Sequence, residues 1–167
     1  MSEIKRIADQ LERAFEGGAW HGPSVREVLD GVTAEQARSR PLPNAHSIWE
    51  ITLHIAAWED AVRRRLQGEK VELTDAEDWP AIGQTTEAAW AACLAGLERG
   101  HRALAETVAR FDETQLGRPP GANRSIAYVQ IHGVIQHDLY HAGQIAVLRK
   151  AVPAPMRLSA STAPGVG

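Results

Sequence analysis

Only one of the 167 residues is a cysteine, so no internal disulfide braces the fold. Cys93 sits among alanines and leucine, with no cation beside it to make a thiolate. It reads as a small buried apolar residue in a reducing compartment, the cytoplasm. No run approaches the roughly 20 apolar residues that cross a bilayer. The opening residues, MSEIKRIADQLERAF, are too charged for a secretory signal. Neither a membrane span nor export is expected. Cationic charge is not gathered into a stripe: 18 Lys and Arg are interleaved with 21 Asp and Glu, for a net charge of −3. Nucleic acid is therefore not an expected partner. No segment alternates apolar and polar residues over strand length, which argues against a sheet.

What is present is a 44% apolar share spaced for helices, together with seven histidines. Ile4, Ile7, Ala8, Leu11, Ala14 and Phe15 predict a first amphipathic helix over residues 2–16, stopped by Gly17-Gly18. Ser24 can cap one short extra helix near residues 24–30. Thr33 to Asn44, with Pro41 and Pro43, reads as a connector with at most a helical turn after Thr33. Ser47 and Glu50 form a capping box for a second long helix, apolar on more than one face and ended at Gly68. Residues 69–84 read as a loop. Thr85 or Thr86 caps a third helix that runs to about Arg110 and is weakened at Gly96 and Gly100. Ser125 is expected to cap the final helix, which ends near Lys150. The fold class is thus all-α, a four-helix bundle in one domain over residues 1–152, with residues 153–167 as a flexible tail. The connections are long enough for crossovers. Ser47-Ile48 with Leu53-His54 is echoed by Ser125-Ile126 with Ile131-His132, a faint hint of pseudo-symmetry.

His137 and His141 stand one turn apart on the final helix and share a face, a spacing that lets two imidazoles grip one ion. That face also carries Gln130, Gly133 and Gln144. Gly133 leaves room beside the site, and the two glutamines are placed to bond a water or substrate. His132 falls on the other side of the wheel and is read as a hydrogen-bonded residue at a helix or subunit contact. His54 lies in an apolar helix where a lone imidazole needs a partner. It is the candidate third ligand, with Glu50 and Ser47 as supports and Trp58 on the same face. His21, His46 and His101 read as solvent-facing. Glu98 and His101 match one Glu-x-x-His unit, but no second unit exists for a di-iron site.

The stretches SIWEITLHIAAWEDAVRRRL and HGVIQHDLYHAGQIAVLRK, with DWPAI and Thr86-x-x-x-Trp90, resemble the DinB/YfiT-like family over most of residues 1–151. The resemblance implies a four-helix bundle, a divalent metal on His54, His137 and His141, and a homodimer. Relatives include thiol S-transferases that use low-molecular-weight thiols, maleylpyruvate isomerases and proteins assigned as hydrolases. A three-histidine site leaves a zinc-like or nickel ion an open position for water or thiolate. The expected function is a metal-dependent S-transferase or hydrolase acting on a small molecule. The alternatives are a non-catalytic metal-binding stress or scaffold protein, and histidines that serve only as core residues. Glu50 and Asp138 are the placed candidates for a general base, although a solvated surface charge is the favoured reading of Asp138.

Overall fold

The computed structural model of the chain describes residues 2–152, and its regular elements there are all helical. In chain order they are α1 (Glu3–Glu16), α2 (Val25–Leu29), α3 (Ala34–Arg38), α4 (Ile48–Leu66), α5 (Asp75–Asp78), α6 (Glu87–Ala109) and α7 (Ala127–Ala151), with a 3₁₀ turn at Glu113–Gln115. The four long helices make the bundle. Both α1 and α4 pack on α6 and α7, so α1 lies diagonally across from α4, and α6 from α7. The connection from α1 to α4 crosses the bundle by way of α2, packed on α7 and α1, and α3, packed on α4 and α6.

Caps set most of the boundaries. The hydroxyls of Ser24, Thr33 and Ser47 each accept a backbone N–H three residues on, and Glu27, Gln36 and Glu50 return the bond to the cap N–H. Such a cap contributes about 1 kcal/mol. Thr86 does the same one-sidedly, accepting from the Ala89 N–H at 3.1 Å.

Three local expectations change. The segment after Thr33 is a complete helix with its own capping box. Residues 69–84 contain α5, where the Glu77 carboxylate takes the N–H and hydroxyl of Thr74, both at 2.8 Å. Ser125 does not cap α7: Ile126 occupies that position, without a side-chain bond. A hydroxyl is not required there, because the Ala127 and Tyr128 N–H groups donate to the carbonyls of Arg118 and Leu116. The echo between Ser47 and Ser125 therefore has no counterpart in the capping. The stretch read as a flexible tail, 153–167, lies outside the described residues.

The core is in two parts. One apolar cluster includes Phe15, Trp49, Ile51, Ile55, Trp90, Leu97, Ala142 and Ile145. The other includes Ile7, Leu11, Val62, Leu104, Val108, Ile131 and Val134. Between them along α4, α6 and α7 fall Glu59, His101 and Asp138, all buried. Each takes the place on its helix where the apolar stripe, continued by three- and four-residue steps, would put another hydrocarbon side chain.

Candidate metal centre

α4 brings His54 and α7 brings His137 and His141 to one place beneath α5. One ring nitrogen from each imidazole can be chosen so that all three lie within 4.8 Å of one another. His54 and His137 face each other through Nε2 at 2.9 Å. His54 Nδ1 lies 2.7 Å from the Asp78 carbonyl oxygen and 3.1 Å from Asp78 Oδ1, both acceptors, so Nδ1 carries the proton. His54 Nε2 is then a lone pair. His141 Nδ1 likewise donates to Gln144 Oε1 at 2.8 Å, which frees its Nε2. A free ring nitrogen is what a divalent ion requires, and in His54 and His141 a hydrogen bond at the other nitrogen fixes that tautomer. At a Zn–N bond of about 2.05 Å, tetrahedral nitrogens stand roughly 3.3 Å apart. The three imidazoles thus need only small shifts to fit an ion.

A family model described as the DinB superfamily matches residues 19–145. The chain belongs to that superfamily. A solved structure entitled "Crystal structure of the conserved protein of locus from Enterococcus faecalis" is similar to this superfamily member at a TM-score of 0.65 and 18% identity, covering 91% of this chain and 98% of that one. At that identity the likeness speaks to the fold alone. No curated protein sequence matches the chain.

The walls of this DinB-superfamily site are aromatic. Trp79, the residue that ends α5, stacks on His54 with ring centroids 3.9 Å apart, and His46 stacks on the other side of Trp79 at 3.6 Å. Trp58 meets His137 at 5.8 Å, and its Nε1 donates to Asp78 Oδ1 at 2.6 Å. Burial among these rings pushes the His137 imidazole down to about 3, with His141 and His54 adding to the effect. Burial also lowers His141, partly offset by its bond to Gln144. The His137 ring therefore stays neutral, the form that ligates, and the downward shift of His141 favours the same form.

The supporting residues differ in part from expectation. Trp58 and Gly133 do lie beside His137, lining one cavity with it. Gln144 is committed to His141 rather than free for substrate. Glu50 does not support His54. Its carboxylate closes the Ser47 cap and pairs with Arg40. His132 stays apart from the three histidines; its ring packs on Tyr128 at 4.2 Å, and its Nε2 has no hydrogen-bond partner.

Two residues overturn their readings outright. Asp138 is not a solvated charge: it is 0% exposed, turned into the bundle where burial and Glu59 hold its carboxyl well above the usual range. His101, expected to face solvent, is 3% exposed and stacks on Phe15 at 3.7 Å. Burial pushes His101 down to about 4, so the neutral ring donates Nδ1–H to Glu59 Oε1 at 2.7 Å. Burial likewise raises Glu59. One proton held between Glu59 and Asp138 would serve Glu59 Oε2 and one of the two Asp138 oxygens, none of which has another donor. Asp138 Oδ1 lies 3.6 Å from His137 Nδ1, which is itself buried and unpartnered. The polar layer of the core thus reaches the back of the histidine site.

Sequence reasoning missed Asp78, Trp79, Glu59 and the burial of His101. The signal for the first pair was Thr74-x-x-Glu77, the same capping pattern read at Ser47. For the others it was polar residues placed on apolar stripes, as in Ile55-Glu59-Val62 and Leu97-His101-Leu104.

Proposed function

We propose that the chain is a divalent-metal-dependent enzyme of the DinB superfamily, with His54, His137 and His141 as ligands. The supporting observation is the convergence of the three imidazoles, with the Nδ1 atoms of His54 and His141 already tied to acceptors. Zinc and nickel suit such a ligand set. When bound, the ion supplies Lewis acidity to a water or a low-molecular-weight thiol in its remaining position. The chain's own groups do the rest. Asp78 and Gln144 orient two of the ligands, and Trp79 and Trp58 keep bulk water from the histidines. The reaction class proposed is S-transfer from a thiol to a small electrophile, with hydrolysis as the other outcome of the same site.

Metal content is the first test. His54→Ala, His137→Ala and His141→Ala should each abolish stoichiometric uptake in elemental analysis, whereas His132→Ala should retain it. Full occupancy in the His141 variant would overturn the ligand set. A thiol-specific rise in melting temperature confined to the metal-loaded protein supports S-transfer. Its absence, with turnover of simple esters or amides, points to hydrolysis. Loading without any turnover would leave the non-catalytic alternative.

A homodimer completes the proposal. The C-terminal half of α7 holds Tyr140 and Val147 outward, 65% and 58% exposed, near the 39% exposed Leu42. Joining two copies there would cover these side chains. Sedimentation should show a dimer that Tyr140→Glu dissociates.

A further inference from the structure

Two contiguous cavities lead away from His137 between α4 and α7. The first, about 270 Å³, has Trp58, Val62, Val129 and Val134 as walls, with His137 among its lining. The second, about 290 Å³, shares Arg65, Ser125 and Gln130 with the first and adds Lys70 and Arg124. From His137 to Gln130 is seven residues of helix, about 10 Å along the axis.

The polar groups along this path are incompletely satisfied. Gln130 is 8% exposed and lines both cavities; its Nε2 donates to the Ser125 carbonyl, but its Oε1 is buried without a donor. A buried acceptor left empty has lost its water without gaining a donor, a loss that a ligand N–H or O–H would recover. Arg65 gives Nε and Nη2 to the Val71 carbonyl and lies over the Trp58 ring, yet pairs with no carboxylate among the described residues. Burial pushes its guanidinium below the ordinary value. Among the residues lining the second cavity, the basic side chains are Arg65, Lys70 and Arg124 and the acidic one is Glu72, which itself pairs with Lys70 at 3.5 Å. The path thus runs from a metal-binding end, through apolar walls, past an acceptor, to a cationic mouth.

We propose that this path is the ligand channel of the histidine site, and that its ligand is a small carboxylate-tailed molecule with an N–H or O–H donor midway. The carboxylate sits at Arg65, the donor bonds Gln130 Oε1, the chain between lies on Trp58 and Val134, and the head reaches the ion. This inference rests on the metal reading only for the head.

The test separates the two. N-(mercaptoacetyl)-4-aminobutyrate, its methyl ester and its N-methyl amide analogue are titrated into the cobalt-loaded protein, with the visible cobalt spectrum as readout. The free acid should bind at least tenfold tighter than the ester. That ratio should fall to near one in Arg65→Gln, and the preference for N–H over N-methyl should vanish in Gln130→Leu. Gly133→Leu serves as a second variant, because a side chain at Gly133 meets open space and would fill the first cavity. It should weaken acid and ester alike while cobalt uptake is kept. N-acetyl-4-aminobutyrate and its methyl ester are also titrated into metal-free protein, reading the Trp58 indole resonance. An acid preference there that needs Arg65 supports the channel even if no metal binds. Equal binding of acid and ester in both experiments, or a preference untouched by Arg65→Gln and Gln130→Leu, overturns it.

Discussion

Two kinds of residue hold the histidine site, and they fail differently when changed. Gln144 fixes the tautomer of His141 through one hydrogen bond, and Trp79 holds His54 by stacking. Loss of such outer partners commonly lowers metal affinity 10–100-fold. Gln144→Leu and Trp79→Ala should therefore weaken metal binding within that range without abolishing it, as measured by competition with a chromophoric chelator. His101 acts through the core instead. Its folded value of about 4 lies below the 6.5 of an exposed imidazole. Between those values the unfolded chain binds one more proton than the folded one, so stability falls as pH falls, at about 1.4 kcal/mol per pH unit at most. Glu59 and Asp138 are raised rather than lowered and so act in the opposite sense. Comparing the metal-free protein with His101→Gln isolates the imidazole. Denaturation midpoints between pH 6.5 and 4 should show a shallower acid loss in the variant.

At the level of elements, the glycines split into two classes. Gly100 lies inside α6, and a side chain there would meet open space. Gly100→Ala should stabilise the protein by about 0.5–1 kcal/mol through helix propensity and reduced unfolded-chain entropy. Gly121 is the contrary case, with φ +55° and its position pressed against the Gly68 backbone, where a Cβ would overlap. There the turn after α4 crosses the loop before α7, a crossing also held by Asn123 Nδ2 donating to the Glu69 carbonyl at 2.9 Å. Gly121→Ala should cost more than about 1 kcal/mol in a urea titration. Element by element, the long helices and the caps at Ser24, Ser47 and Thr86 were legible because a cap and an apolar period are local signals. α5 was not: four residues carry no period, and only Thr74 and Glu77 announced it. Ser125 misled, since its hydroxyl fits a cap but carbonyls in the preceding loop took those N–H groups first.

At the scale of the whole molecule, His54, His137 and His141 could be singled out because wheel position and apolar context are written along the chain. The pairing of Glu59 with His101 and Asp138 was hidden, because three helices must pack before any of these residues finds its partner. The tryptophans divide the same way. Trp49 and Trp90 meet in the core at 5.0 Å, Trp58 and Trp79 wall the site, and Trp20 is fully exposed. An ion held as proposed would join residues 83 positions apart, from His54 to His137, and so would couple its binding to the packing of α4 on α7. Saturating zinc should raise the melting temperature by an increment that disappears in His137→Ala.

The polar layer has a consequence for how the bundle comes apart. Hydrocarbon contacts spread cooperativity because each side chain leans on several others, whereas a layer of directional bonds passes on only what those bonds carry. The two apolar clusters should then open as separate units. Native-state hydrogen exchange should show one opening energy for amides near Leu104 and Ile131 and another for those near Leu97 and Ile145, and Glu59→Gln should widen the gap between them.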